Sequence, residues 1–345
     1  MGSAISQSPS PPFIFSLIIS IPSIILYCIE VVILLINIKY FNTAFFRLFI
    51  FRFIYNFLTY FNSFFYARFG RVGLFLDLFE RIPSWLLAFF FFFHYYNFHV
   101  DNLSTMFILL NRLTLITFPM THEKIWKYFL PISILITVGV PLPFTFPTLS
   151  NAFYVRMQDD NTTFTLDYYR ETGKTYLKSS YISAISSISF CIVCGILNCL
   201  TVLFYRRANK QQLRAPSNLS ARNMEEQKIE IRLTIYAVIT FLAQLCMAIY
   251  MLTIYISSST GPWALDNVFY ATLNQFCWIN DVSTVILPSL PLLWASSKVR
   301  DLMFATLKVH SWPLISRSTK PNLQNTIVVM SNSALSHGIG NDKYK

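Results

Sequence analysis

The stretch that decides the fold is residues 83–126, which reads PSWLLAFFFFFHYYNFHVDNLSTMFILLNRLTLITFPMTHEKIW. A hydrocarbon core about 30 Å thick is crossed by roughly 20 helical residues, so residues 84–110 are long enough to span a bilayer with some tilt. This apolar run nevertheless carries His94, His99 and Asp101. Charge inside hydrocarbon is costly and is usually paired or functional. The stretch therefore predicts a membrane-spanning helix with ionisable side chains at membrane depth.

The composition points to a polytopic membrane protein. Of the 345 residues, 54% are hydrophobic and only 12% are charged, against about 25% charged in an ordinary soluble domain. The net charge of +11 could indicate a nucleic-acid partner. The positive residues lie mainly in predicted loops, however, where they would face anionic lipid. No nucleic-acid-binding module is visible, so we expect membrane lipid rather than nucleic acid as the partner.

Seven hydrophobic runs divide the chain, and seven crossings place the two termini on opposite sides of the membrane. We therefore expect an all-α bundle of seven transmembrane helices over residues 13–304, with an extracellular tail at 1–12 and a cytoplasmic, disordered tail at 305–345. The predicted spans are 13–38, 45–66, 84–110, 128–149, 179–205, 233–255 and 268–294.

The distribution of Lys and Arg predicts the orientation of the bundle. These residues are concentrated at 39–47, 112–127 and 206–232 and in the tail after Trp294, and are fewer at 68–81 and 151–178. Positive residues stay on the cytoplasmic side, so the amino terminus is expected outside. The sequon Asn161-Thr162-Thr163 lies in a loop on that same outer side, which makes Asn161 a glycosylation candidate.

Metal, redox and catalytic chemistry find little support. All six cysteines lie in predicted spans, so extracellular disulfides are not expected. The pair Cys191 and Cys194 has no second ligand pair nearby, and His94 and His99 are five positions apart, which is a poor spacing for joint metal ligands. No Gly-rich phosphate loop or nucleophile elbow is present. We expect neither an enzyme nor a cofactor or metal.

Two ionisable residues are predicted to form a buried ion pair. Glu30 lies nine residues before Lys39, and Arg52 lies seven residues after Phe45. At the helical rise these positions are roughly 13 Å and roughly 11 Å from the same membrane face. Because adjacent antiparallel helices would bring the two side chains to similar depth, we expect a Glu30–Arg52 pair that clamps the first two helices.

Two aspartates approach the middle of the membrane. Asp101 and Asp281 lie about 16 Å and about 20 Å from the predicted inner ends of their helices. One reading is an intramembrane polar network, with a shared sodium ion, direct contacts or water; the other is two carboxyls that bond separately to neighbouring Ser, Thr or Asn. Both remain open. The candidate network comprises Asp101, His99, Asn97, Asn274, Asn280 and Asp281.

Three motifs carry a family resemblance. They are Phe45-Phe46-Arg47-Leu48-Phe49, the step from Asn111-Arg112-Leu113 to Phe118-Pro119 with Trp126, and Leu287-Pro288 to Leu293 with Arg300. Together they resemble the nematode serpentine receptors and are most similar to class gamma (Srg), over residues 13–304. The resemblance implies a seven-helix, G-protein-coupled chemosensory receptor in the plasma membrane, on sensory neurons and their cilia. Its implied partners are a small odorant or pheromone-like ligand and a heterotrimeric G protein.

By that resemblance Arg112 takes the place of the arginine in the receptor Asp/Glu-Arg-Tyr step. Asn111 replaces the acid and Leu113 the tyrosine, so no adjacent carboxylate restrains the arginine. Glu226 and Glu230 lie four residues apart before the sixth span and share one face of a helix. We therefore expect Glu230 to pair with Arg112 in the inactive bundle, and assign Asn111, Arg112 and Glu230 to the switch.

A transporter or channel subunit is the main alternative. Such proteins often contain repeated halves and helices that Gly or Pro interrupts near the substrate. Here the number of spans is odd, the chain has only 9 Gly, and the prolines are concentrated at 128–149. The sequence therefore favours the receptor, although a structural membrane protein also remains compatible with it.

Overall fold

A computed structural model describes residues 11–158, 162–168, 179–214, 221–259, 266–295 and 299–304. The packing described below is internal to the unit Met1–Met303. The helices are α1 Pro11–Ile36, α2 Ala44–Ser63, α3 Phe69–Val72, α4 Leu76–Arg81, α5 Ser84–Thr117, α6 His122–Gly139, α7 Pro141–Thr145, α8 Ser179–Arg214, α9 Ala221–Ser259, α10 Asp266–Asp281 and α11 Leu287–Ala295. A 3-10 turn, Phe146–Ser150, follows α7.

The helix α5 is longer than the predicted third span. Pro83 precedes it in an extended conformation, and the helix ends at Thr117, two residues before Pro119. A proline disfavours helical geometry in the residue before it, which accounts for this end. The 34 residues of α5 extend over about 50 Å, so Asn111 and Arg112 belong to the helix and not to the loop that follows it.

Six helical segments in the described chain are long and apolar enough to cross a membrane. They are Phe13–Ile36, Ala44–Val72, His122–Ser150, Tyr181–Arg207, Val238–Ser257 and Asn274–Trp294. The segment α5 is absent from this set because its His, Asn and Asp side chains reduce its mean hydropathy. It packs between α2, α6 and α8 and buries much of its surface. A helix surrounded by protein does not need the apolar surface that lipid demands.

Two π-helical segments interrupt the helical spans. Phe64–Arg68 continues α2 into α3, and Val282–Ile286 joins α10 to α11. A π-helical turn changes the backbone hydrogen-bonding pattern and is frequent at functional sites. The amide of Asn56 donates to the backbone oxygen of Thr284 at 2.8 Å, so α2 is bonded directly to the second π-helical segment.

A β-hairpin covers one end of the bundle, which we call the hairpin end. Its strands β1, Phe153–Met157, and β2, Phe164–Tyr168, pair antiparallel, with Phe153 opposite Tyr168. The all-α prediction therefore needs this small correction. The Phe153 ring lies 4.7 Å from that of Phe91 on α5, and the Phe164 ring lies 5.0 Å from that of Phe79 on α4.

Two glycines let the hairpin approach the bundle. A Cβ atom on Gly70 would collide with the backbone oxygen of Phe164, and one on Gly73 with that of Thr162. Gly73 also has a φ of 68°, a left-handed conformation that glycine adopts without steric cost. The backbone of the hairpin thus rests directly on α3.

The predicted tails and the sequon fall largely outside the described residues. Pro11 and Pro12 begin α1, but residues 1–10 and 305–345 and Asn161 are not described.

Candidate functional site

An ion pair joins α2 to α5 in the interior of the bundle. Arg52 Nε lies 2.7 Å from Asp101 Oδ1, and Arg52 Nη2 lies 3.3 Å from Asp101 Oδ2. The Arg52 side chain is 1% exposed and that of Asp101 13%. Two parallel N–H···O bonds fix the planes of both groups. Asp101 is thereby held against α2.

The prediction that Arg52 pairs with Glu30 is wrong, because Arg52 pairs with Asp101 instead. Glu30 is fully buried, and neither of its carboxyl oxygens has a hydrogen-bond partner among the described residues. Helical rise predicts depth but not the direction in which a side chain points. The side chain of Arg52 points to α5, and it is there that it meets Asp101.

A second buried ion pair joins three helical segments at another place. Arg68, the last residue of the first π-helical segment, pairs with Asp281 at the end of α10, and Ser16 of α1 donates to the same carboxylate. Arg68 also donates from Nε to the hydroxyl of Ser63 at 2.8 Å. Each of the two intramembrane aspartates therefore has its own arginine.

Sequence reasoning missed Arg68 because it placed the end of the second span at residue 66. The helical path instead continues through the π-helical segment to Val72, and Arg68 is 0% exposed. The apolar residues that follow it, Phe69 and Val72, were the available signal. They place this arginine inside the span and not in the loop beyond it.

A small polar cavity lies beside the Arg52–Asp101 pair. Its volume is about 20 Å³, and its walls include His94, Asn97, Asp101, Asn102, Gln244 and Asn280. A cavity of this size holds about one water molecule. Among the described residues no partner exists for the Asn97 amide, Asn102 Nδ2, Gln244 Oε1, Asn280 Nδ2 or His94 Nδ1.

These unpaired groups make the cavity a candidate binding site. Buried polar atoms are normally hydrogen-bonded, and each exception requires an explanation such as water or a bound group. The cavity offers amide donors and acceptors from α5, α9 and α10. A molecule with hydrogen-bonding groups can therefore satisfy several of them at once.

The structure brings together only part of the predicted polar network. Asp101, Asn97 and Asn280 line the cavity, whereas Asp281 bonds to Arg68. The Nδ1 of His99 lies 3.3 Å from the Ser186 hydroxyl on α8, and Asn274 is exposed on α10. Asn102 and Gln244 also line the cavity and were not predicted, because the sequence does not show which amides of different helices converge.

An aromatic layer lies between the cavity and the hairpin. The Tyr66 and His94 rings stack with centroids 4.0 Å apart, and the Phe276 ring packs edge-on against His94 at 5.1 Å. Tyr250 packs in the same layer, with its ring 5.9 Å from Phe276. The guanidinium of Arg71 lies 5.8 Å from the centre of the Phe276 ring.

The opposite end of α5, which we call the Asn111 end, is fixed to α6. Asn111 Nδ2 lies 3.1 Å from His122 Nε2, and Trp126 Nε1 donates to the Thr114 hydroxyl at 2.7 Å. The Arg112 guanidinium lies over the Phe45 ring, 3.6 Å from its centre.

The predicted partner of Arg112 cannot be placed. Glu230 belongs to α9, but its side chain lies outside the described side chains. The Arg112–Glu230 pair therefore stays a prediction.

Metal ligation finds no support in the part of the chain that the structure describes. It contains no group of three or more His, Cys, Asp or Glu side chains that could hold a metal ion. All six cysteines are free thiols.

Comparison with known proteins agrees with the architecture. The family model described as Srg family chemoreceptor matches residues 13–303. The chain is also similar to serpentine receptor class gamma-31 of Caenorhabditis elegans, with 27% identity over 201 residues; the match covers 55% of this chain and 64% of that relative. Because the family match extends over nearly all the helical bundle, this multi-pass membrane protein belongs to the Srg family of chemoreceptors.

Proposed function

We propose that this chain is a chemosensory receptor that binds a small organic molecule between its helices and signals through a heterotrimeric G protein. The single observation that supports this most is the polar cavity between α5, α9 and α10, with its unpaired amide and imidazole atoms. Such a set of groups in a membrane bundle is suited to recognition.

The cavity must expand when the ligand binds. Pockets that accept small organic ligands measure about 300–1,000 Å³, whereas this one has a volume of about 20 Å³. A ligand must therefore separate α9 and α10 from α5 and thereby stabilise a second arrangement of the bundle. A ligand shifts such an equilibrium only through its different affinity for the two states. The displacement would reach the Asn111 end through the long, continuous α5.

The proposed topology has seven crossings with the amino terminus outside. The described residues contain six apolar segments long enough to cross a membrane. The helix α5 packs against several of them and is itself long enough to provide the seventh crossing. The hairpin end is then extracellular and the Asn111 end cytosolic. Epitope tags at the two termini test this assignment in intact and permeabilised cells. A carboxy-terminal tag that antibodies reach on intact cells would contradict it.

The signalling proposal is tested in cells that express the full chain together with a panel of Gα subunits. We expect members of a small-molecule library to change cAMP or calcium, and Asn97→Leu and Gln244→Leu to weaken that response at equal surface expression. Asn274→Leu is the matched control, because Asn274 is exposed and lies outside the cavity. A ligand-driven current that persists without any Gα subunit would favour the channel or transporter instead.

A further inference from the structure

Among the described residues, Arg71 lacks the acidic partner that three other arginines have. Arg52 and Arg68 each pair with an aspartate, and Arg156 pairs with Asp167 within the hairpin at 3.3 Å. No Asp or Glu among the described residues forms an ion pair with Arg71. Its side chain is half-buried, and its Nη1 atom is buried without a hydrogen-bond partner in the described part of the chain.

Among the described residues, the side chains that surround Arg71 are aromatic, and none of them is shown to bring a negative charge to it. Its guanidinium faces the Phe276 ring and lies close to the Tyr250 hydroxyl and to Tyr66. Aromatic faces stabilise a cation only partly. Burying a guanidinium N–H without an acceptor costs free energy, because the group loses its hydrogen bond to water. An acceptor beyond the described residues would satisfy the unused donor of Arg71.

The hairpin backbone lies against the residues on either side of Arg71. Arg71 belongs to α3, between Gly70 and Gly73, and the hairpin backbone rests on these two glycines. Tyr168 of β2 packs against Phe91 with the ring centroids 6.1 Å apart, beside Tyr66 and Tyr95. A molecule bound at Arg71 would thus lie close to the hairpin and against the aromatic layer that leads to the polar cavity.

We propose that Arg71 binds an oxyanion, a carboxylate or phosphate group, whose attached apolar chain packs on the rings of Tyr66, Tyr250 and Phe276. The planar guanidinium fork matches the two oxygens of such a group and binds them more strongly than it binds a neutral acceptor. This inference rests on the proposed ligand-binding function and specifies the chemical class of the ligand. The oxyanion belongs either to a soluble ligand or to the headgroup of a membrane lipid.

The test uses the full-length receptor in micelles of dodecyl maltoside, a neutral detergent without phosphate, titrated with hexanoate, hexyl phosphate or methyl hexanoate. The readout is the midpoint of thermal unfolding at each probe concentration. We expect hexanoate or hexyl phosphate to raise the midpoint and the neutral ester to have no effect. Arg71→Gln should raise the half-saturating concentration about tenfold or more, as for loss of a charged hydrogen bond, and Arg71→Lys should retain part of the affinity. Arg81→Gln is the control, because Arg81 is exposed on the neighbouring α4.

A second arm identifies the source of the oxyanion. Micelles that also contain phosphatidylglycerol are compared with micelles of the neutral detergent alone, with wild type and Arg71→Gln in both. If phosphatidylglycerol raises the midpoint of the wild type but not of Arg71→Gln, and also prevents hexanoate from raising it further, the site binds a lipid headgroup. If the hexanoate titration is the same with and without phosphatidylglycerol, the site binds a soluble ligand.

Three results would overturn the assignment. The first is that methyl hexanoate raises the midpoint as much as hexanoate does. The second is that Arg71→Gln gives the same titrations as the wild type in both arms. The third is that neither an oxyanion probe nor phosphatidylglycerol changes the wild-type midpoint. The binding assay contains no G protein. A receptor that binds hexanoate through Arg71 but never signals would therefore contradict the proposed function and leave the oxyanion site in place.

Discussion

Arg52 on α2 and Asp101 on α5 face each other through two nitrogen–oxygen contacts, of 2.7 and 3.3 Å. Asp101 lines the polar cavity, so the pair adjoins that cavity through its acidic partner. It therefore connects the packing of two spanning helices with the region proposed to bind ligand, and a change in either residue should affect both stability and ligand response.

We expect Arg52→Gln and Asp101→Asn each to destabilise the receptor strongly. Removal of one partner leaves an uncompensated buried charge, which costs about 3–5 kcal/mol. Surface expression and the thermal midpoint of the purified receptor measure the effect. The double variant Arg52→Gln/Asp101→Asn should recover part of the loss, because it leaves neither charge alone. If the two single defects simply add in the double variant, the side chains do not interact.

Glu30→Gln should have little effect on stability, in contrast to the changes at Arg52. The Glu30 carboxyl is fully buried and makes no hydrogen bond to the described residues, so its replacement by an amide breaks no observed contact. The thermal midpoint should remain close to that of the wild type. A loss comparable to that of Asp101→Asn would mean that Glu30 has a partner in the folded receptor.

Gly70→Ala should displace the β-hairpin from α3. The new Cβ would collide with the backbone oxygen of Phe164, and a backbone atom of a paired strand cannot move without shifting the strand. Faster hydrogen exchange in residues 153–168 would report the displacement. Gly139→Ala is the control, since a Cβ there meets nothing within 4 Å. Equal exchange in both variants would show that the hairpin does not depend on this close approach.

Phe45→Leu should change ligand-independent signalling. It removes the ring face beneath the Arg112 guanidinium, an interaction that contributes about 0.5–1 kcal/mol at exposed sites and more where water is excluded. Basal G-protein activity, normalised to surface receptor, measures the result. The same substitution at Phe89, which is 43% exposed, is the control. Unchanged basal activity in Phe45→Leu would remove this contact from the switch.

Arg112→Ala should abolish G-protein coupling while surface delivery stays largely intact, and Glu230→Gln should raise basal signalling. The loss of coupling follows from the resemblance, in which Arg112 takes the place of the arginine in the receptor Asp/Glu-Arg-Tyr step. The raised basal signalling follows from the predicted Arg112–Glu230 contact, which would be partly exposed and worth about 1 kcal/mol or less. That is enough to shift a two-state equilibrium several-fold. Signalling like that of wild type in both variants would leave Arg112 as a charge that only marks the inner membrane surface.

The amino-acid sequence by itself determined the class of the protein and most of its helical segments. Runs of apolar residues long enough to span hydrocarbon must bury their backbone polar groups in helices, so the apolar spans follow from composition and order alone. The polar residues of α5 likewise predicted a spanning helix with ionisable side chains at membrane depth, and the motifs at Phe45–Phe49, Asn111–Arg112 and Leu287–Pro288 indicated the family.

Only the tertiary structure decided which charged residues meet. Helical rise fixes how deep Glu30, Arg52 and Asp101 lie, but not how each helix is rotated about its axis. The observed rotation of α2 directs Arg52 toward Asp101. Arg68 lies in the first π-helical segment, inside the bundle, where it pairs with Asp281. The cavity required amides from α5, α9 and α10 to converge. Such convergence depends on how whole helices pack against one another. The order of residues along one helix does not specify which side chains of a neighbouring helix will face it.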